Sequence, residues 1–313
     1  MAFLADFTFT KRADKAVSDD GWNVSSDINA LAGNDTITGR SLEISGIFVA
    51  YTLSTGLGSD TISGVGRING VSVDGTIDTG VGNDRINGDG VSVGVEIQIE
   101  QGSIITGRGN DRINGKGNSV GIRNGGVIDT GRENDLITGV GGQSGIYNAL
   151  LIDTGIGNDR IIGTGGSAGI VNFGTINTGN GNDTIIGKGQ GISNFGTIDT
   201  GKGRDIVDAI DGGFNRSGGD VFGLIGSTSL GSGNDMIKGF GGGRFDGGTG
   251  KDKILFSEGT YTIAGRLITE ENLLGMTMNV TNFEKIGGVN GGLFKYANGT
   301  LIVDSDGNAT FAA

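Results

Sequence analysis

The sequence predicts an all-β fold: a parallel β-helix, or β-solenoid, of about eight coils of ~24 residues with a β cap at its C-terminal end. Three observations carry that expectation. A unit written G-I-x-N-x-G-x-I-D-T-G-x-G-N-D-x-I-x-G recurs along the chain and is clearest at residues 121–139 and 169–187. Within it, apolar and polar residues alternate with a period of two, and no window shows the 3.6-residue period of a helix. Glycine supplies 67 of 313 residues while proline is absent. Ordinary usage is about 7% and about 5%. Such a backbone turns often, within strands hydrogen-bonded on both sides, where proline cannot donate.

The elements follow in chain order. Residues 1–30 are expected to form an N-terminal cap or edge strand; in "FLADFTFTK" Phe7 and Phe9 alternate with polar residues and could pair onto the first coil. Residues 31–210 hold the regular coils. Aligned on the Asp of "GND" and its variants, the column reads Asp35, Asp60, Asp84, Asp111, Asp135, Asp159, Asp183 and Asp205, with spacings of 25, 24, 27, 24, 24, 24 and 22. Three strands of about five residues and three turns fill each step. Stacking then sets like on like. Ile62, Ile86, Ile113, Ile137, Ile161 and Ile185 form one inward column, and Ile77, Ile104, Ile128, Ile152, Ile176 and Ile198 another. Asn124, Asn148, Asn172 and Asn194 form a third column, whose amides can hydrogen-bond from coil to coil. A β-sandwich, the competing fold, would not need identical residues at each step.

Residues 211–256 read as irregular repeats, and residues 257–313 lose the repeat and read as ordinary strands covering the far end. A solenoid leaves an open strand edge at each end, which invites pairing with another chain. Capping and head-to-tail filament assembly both remain open on this reading.

Composition narrows the chemistry. Without Cys or His, the chain offers no disulfide, no thiolate or imidazole metal site and no histidine base. A formal charge of −12 argues against nucleic acid and anionic membranes and favours cations. No run approaches 18 apolar residues, so membrane insertion is not expected. The N-terminus lacks the basic and apolar regions of a Sec signal.

The Asp column poses the central question. Side chains stacked ~4.8 Å apart repel by ~1 kcal/mol per pair in water and ~3–4 kcal/mol at an effective dielectric of 20. A row of eight does not ionise together without counter-charge. Arg85, Arg112 and Arg160 follow three of the Asp residues, but Thr, Leu or Ile follows the others, so arginine cannot neutralise the row. Carboxylates and backbone carbonyls suit a hard cation such as Ca²⁺. Glycines before each Asp let the turn take positive φ and aim its carbonyls.

At these residues the sequence resembles the RTX, or hemolysin-type, calcium-binding repeat, whose nonapeptide is G-G-x-G-x-D-x-U-x, with U a large apolar residue. "GGTGKDKIL" (247–255) matches throughout, with Asp252 as ligand and Ile254 as U, and "LGSGNDMIK" (230–238), carrying Asp235, departs only at Leu230. The longer coils give a Thr-led form, as in "TGVGNDRIN" and "TGNGNDTII". The resemblance implies calcium held between stacked turns, in a bacterial protein exported by type I secretion with its uncleaved signal in the C-terminal flank. The ligands it implies are the carboxylates of Asp35, Asp60, Asp84, Asp111, Asp135, Asp159, Asp183, Asp205, Asp235 and Asp252. Turn carbonyls would come from Gly80, Gly82, Gly107, Gly109, Gly155, Gly157, Gly179, Gly181, Gly248 and Gly250. The pattern also departs from the family. One motif serves each ~24-residue coil instead of two in ~18, and Glu133, Ala32 and Arg204 replace turn residues.

The expected function is a secreted, calcium-binding structural or adhesive solenoid of the cell surface or extracellular matrix. It would fold on calcium outside the cell, with itself or surface glycans as further partners. No enzyme is expected, because the carboxylates recur identically in every coil; Glu96 and Glu100, in the 27-residue coil, are the nearest candidates for a polysaccharide-acting site. Ice binding is the other alternative. The Asn row (Asn83, Asn110, Asn134, Asn158, Asn182) suits it, but Leu57, Val81, Arg108, Arg132, Ile156, Asn180 and Lys202 occupy the matching Thr position. The regular Thr column (Thr55, Thr79, Thr106, Thr130, Thr154, Thr178, Thr200) is expected in the turn wall.

Overall fold

The period-two segments become three strands per coil, and each strand stacks in parallel register on its counterpart one coil away. One coil shows the plan: Thr61–Gly66, Asn69–Val73 and Thr76–Asp78, contributing to a first, second and third face. A computed structural model gives residues 1–98, 100–215, 226–273 and 275–313. Residues 216–225 of the irregular repeats, Ile99 in the Glu96–Glu100 segment and Leu274 in the cap lie outside the described residues.

Among the described residues, the first face is a 13-stranded sheet, the second has nine strands and the third 15. A short three-stranded sheet, Lys202–Gly203, Ser232–Gly233 and Thr249–Gly250, runs beside them at the glycine turns. Register is in step throughout: Ile86 lies between Ile62 and Ile113, and Ile77 beside Ile104. Both isoleucine columns are fully buried. Burying each such side chain stabilises by ~1.5–3 kcal/mol, so one short step in sequence adds a complete core layer.

The stack holds about nine coils, slightly more than the repeat count suggested. Lys15–Ser18, Trp22–Val24 and Ile28–Asn29 already occupy the three faces before the first "GND" turn. Ahead of them, the edge pairing falls on Ala2–Phe3 against Trp22–Asn23, not on the Phe7–Phe9 alternation. Leu4, in the single turn of 3-10 helix Leu4–Asp6, is fully buried, and Phe7 and Phe9 meet edge to face at 4.8 Å against the core. This end is plugged by side chains as well as by a strand.

Some glycines have a use that turn propensity does not convey. At Gly88 the first face runs against the second, and a Cβ there would sit 2.1 Å from the Gly94 carbonyl oxygen. The same approach recurs at Gly64, Gly115, Gly139 and Gly163, so the two faces fold closely back on each other.

Past Gly243–Asp246 the third face changes character. Thr277–Thr281 adds in parallel, then Leu267–Glu270, Gly259–Ala264, Gly299–Val303 and Ala309–Ala312 continue antiparallel. Phe240, Phe256 and Tyr261 pack beneath them, with Phe256 and Tyr261 stacked at 4.3 Å. Among the described residues no helix is long and apolar enough to cross a membrane.

Candidate metal centre

The turn that leads from the third face to the first builds the site. In "TGVGND" Gly80 and Gly82 take φ of +85° and +150°. At Gly82 a Cβ would lie 1.6 Å from the Gly58 carbonyl oxygen, so neither the conformation nor the space admits a side chain. The following Asp is thereby swung to the inner wall of the turn. All ten expected Asp residues arrive there, each at most 2% exposed.

The ten form one continuous file. Each Asp Oδ1 accepts the backbone N–H of the Asp one coil earlier, from Asp35 N–H to Asp60 at 2.7 Å through to Asp235 N–H to Asp252 at 2.7 Å. Even the 17-residue step from Asp235 to Asp252 keeps the pattern. The other oxygen, Oδ2, is buried without a hydrogen-bond partner in all ten. A buried carboxylate oxygen left unmatched costs ~1–3 kcal/mol or more, and ten identical cases imply that something other than a protein donor satisfies them.

The electrostatics agree. Burial is the leading cause that raises these carboxyls above their ordinary range, to about 7 at Asp84 and Asp183 and about 8 at Asp135. Asp111, Asp159, Asp205, Asp235 and Asp252 rise to about 6, and Asp35 and Asp60 rise as well. The backbone N–H bond opposes the rise, while neighbouring members of the file reinforce it at Asp135. The buried Thr column also faces the row: Thr154 favours ionised Asp159. Yet its hydroxyl points to the Thr178 carbonyl at 3.3 Å. One hydrogen cannot serve both, and the bonding geometry gives it to the carbonyl, so Oδ2 stays without a donor.

The glycine carbonyls divide into two sets. Those of Gly80, Gly107, Gly155 and Gly179 each accept an N–H from the next coil, at 2.7 to 3.0 Å. Among the described residues, those of Gly82, Gly109, Gly157 and Gly181 receive no backbone N–H. Gly248 and Gly250 form the corresponding turn before Asp252. Among the described residues no three carboxylates gather at one point. Any ion would therefore take one or two carboxylates and complete its shell with carbonyls or water, an all-oxygen set that fits Ca²⁺.

Two members of the file were missed by motif alignment. Asp14, which precedes Lys15 as Asp35 precedes Thr36, donates its N–H to Asp35 Oδ1 at 2.8 Å, while its own carboxylate accepts from Thr10. Glu284 accepts the Asp252 N–H at 2.6 Å. Neither lies in a "GND" turn; only the register of Lys15 with Thr36 and of Lys253 with Lys285 reveals them.

The other candidates are placed as well. Arg85, Arg112 and Arg160 point outward and are exposed, and no ion pair with the file forms among the described residues. Glu96 is engaged by Asn69 and, at 3.9 Å, by Arg123, whereas Glu100 sits exposed in the following turn. The Thr column is fully buried in the turn wall. The Asn row is exposed, and each of Asn110, Asn134, Asn158 and Asn182 is bonded through its main chain and amide to the preceding Asn Oδ1.

No family model matches the chain, and no curated protein does either. Among solved structures, a match is the crystal structure of a hyperactive, Ca²⁺-dependent, β-helical antifreeze protein from an Antarctic bacterium. It shares 23% identity over 80% of this chain and 62% of that one, with a TM-score of 0.43. The chain thus spans less than two thirds of that structure's length.

Proposed function

We propose that this chain is a calcium-stabilised structural or adhesive rod, secreted and folded by the ions it meets outside the cell. One observation carries the reading: ten buried carboxylates in a single file, each with one oxygen unmatched. Asp35, Asp60, Asp84, Asp111, Asp135, Asp159, Asp183, Asp205, Asp235 and Asp252 would supply the charge. The free carbonyls of Gly82, Gly109, Gly157 and Gly181 stand in the same turns as further donors. A bound Ca²⁺ would supply the positive charge that lets the file ionise in place. The chain's own part is to hold one carboxylate per coil at fixed height, shield it from water and fix Oδ1 by a backbone N–H.

The energy scale makes such a file a folding switch. Each tenfold displacement of a proton equilibrium is worth ~1.4 kcal/mol, and a whole domain is stable by only ~5–15 kcal/mol. Burial opposes ionising every member of the file, so without a cation the row works against folding, and binding free energy becomes folding free energy. In a low-calcium cytosol the chain would stay unfolded and exportable. In millimolar calcium the coils would stack. The reading assigns the chain no enzymatic role.

The decisive measurement is far-UV circular dichroism in chelator, titrated with calcium and, separately, with magnesium. A cooperative gain of β signal with calcium alone is the expected outcome. A chain already folded in chelator at pH 7.5 and unmoved by calcium would refute the proposal. Ice binding stands second. The exposed Asn ladder is the feature that favours it, and Arg108, Arg132 and Lys202 interrupt the adjoining row. Thermal hysteresis in the calcium-loaded protein tests that reading directly.

A further inference from the structure

We propose that Glu284 is the terminal rung of the cation file, and that a divalent cation shared by Asp252 and Glu284 pins the C-terminal cap to the last coil. This rests on the calcium reading of the Asp file and extends it to a residue outside every repeat. The strand Lys285–Gly288 lies parallel to Lys253–Phe256, with Lys285 opposite Lys253 and Ile286 opposite Ile254. Glu284 therefore occupies the position that the next Asp of the file would hold. Its Oε2 accepts the Asp252 N–H at 2.6 Å, as the Oδ1 of each Asp does for the coil before it.

The Lys285 N–H donates to the Asp252 carbonyl at 3.1 Å, as the Lys253 N–H does to the Asp235 carbonyl at 3.0 Å, so the backbone keeps the step of the regular coils. The Glu284 N–H, where each Asp N–H of the file reaches a further carboxylate, shares the Asp252 carbonyl at 3.1 Å, and the Glu284 side chain is exposed at the end of the row. The second observation is on the other side of the gap: Asp252 is fully buried and its Oδ2 has no partner. Lys251, Lys253 and Lys285 lie nearby in sequence and register, and none forms an ion pair with Glu284 among the described residues.

Two consequences follow for the cap. Residues 257–313 would dock as a calcium-dependent unit, although they carry none of the repeat. The cap's outermost strands would also become protected only once the array beneath is loaded.

Hydrogen–deuterium exchange on the full chain, with and without calcium, tests this in wild type, E284Q and D159N. The wild type should gain protection with calcium both in the array and in peptides spanning 259–303. In E284Q the array should keep that gain while the cap peptides lose most of it, by tenfold or more in exchange rate. D159N should weaken the gain around its own coil and leave the cap's response in place. Unchanged calcium protection of the cap in E284Q, or a wild-type cap indifferent to calcium above a responsive array, would overturn the inference and leave the calcium reading intact. A wild type in which no peptide responds removes both. Should E284Q fail to fold even in calcium, E284D keeps the charge on a shorter arm. Recovery of calcium protection there supports the shared site, and its absence overturns it.

Discussion

Two buried polar ladders line this solenoid, an Asp file from Asp35 to Asp252 and a shorter Asn ladder from Asn124 to Asn194, and they are chemically opposite. On the corner between the second and third faces, Asn124, Asn148 and Asn172 each donate from Nδ2 to the next Asn Oδ1 at 2.8 Å and to a third-face carbonyl at 2.7 to 3.0 Å. Asn194 ends the row on the Ser227 carbonyl. An amide carries both a donor and an acceptor, so stacking identical copies closes every bond. On the turn edge a carboxylate carries only acceptors. Stacking copies of Asp satisfies Oδ1 through the backbone and leaves Oδ2 open. The Asn ladder is complete as folded, whereas the Asp ladder requires a proton or a cation from outside.

The largest effect that sharpens this contrast is pH. Because the folded carboxyls sit above their ordinary range, the folded chain holds more protons than the unfolded one between about pH 4 and about pH 8. In calcium-free buffer, stability is therefore full below the ordinary Asp value and falls as pH rises through the folded values near 6 to 8. Thermal melts should show the fold lost by pH 8 without calcium. With saturating calcium the slope should reverse, since deprotonation then favours the bound ion. Parallel curves in the two conditions would contradict the assignment.

Exchanging one rung between the ladders comes next. Asn148→Asp puts an acceptor where Nδ2 donates to Asn172 and Thr175, and should cost about 3 kcal/mol in urea unfolding, with or without calcium. Its counterpart, Asp159→Asn, places an amide at an open position. It should extend the calcium-free fold to higher pH while reducing the gain that calcium brings. If the two exchanges act alike, the ladders are not opposites. The smallest effect belongs to Thr154→Val, which removes a long hydroxyl bond to the Thr178 carbonyl. The urea midpoint in calcium should move by less than about 1 kcal/mol.

Much of this was readable in the chain because a solenoid is nearly one-dimensional. A period in sequence becomes a column in space, so the isoleucine columns, the Asn ladder and the ten Asp residues followed from alignment alone. Asp14 and Glu284 were not readable, since neither "KRADKA" nor "VTNFEK" resembles the repeat. They join the file only through strand register at the two ends. The glycines were half legible. The turn positions announce themselves by their place before Asn-Asp, but Gly88 and its column look like turns and are instead points where two faces touch.

The sequence by itself determined the architecture, because coil length, alternation and like-on-like stacking are local and repeated. Which atoms remain unsatisfied was decided only in three dimensions. Whether a stacked carboxylate ends with one free oxygen depends on the height and direction of its neighbour's N–H, and these belong to the packed coil rather than to either residue. The same holds at the ends, where the repeat stops and the fold must find, in Asp14 and Glu284, residues that finish what it began.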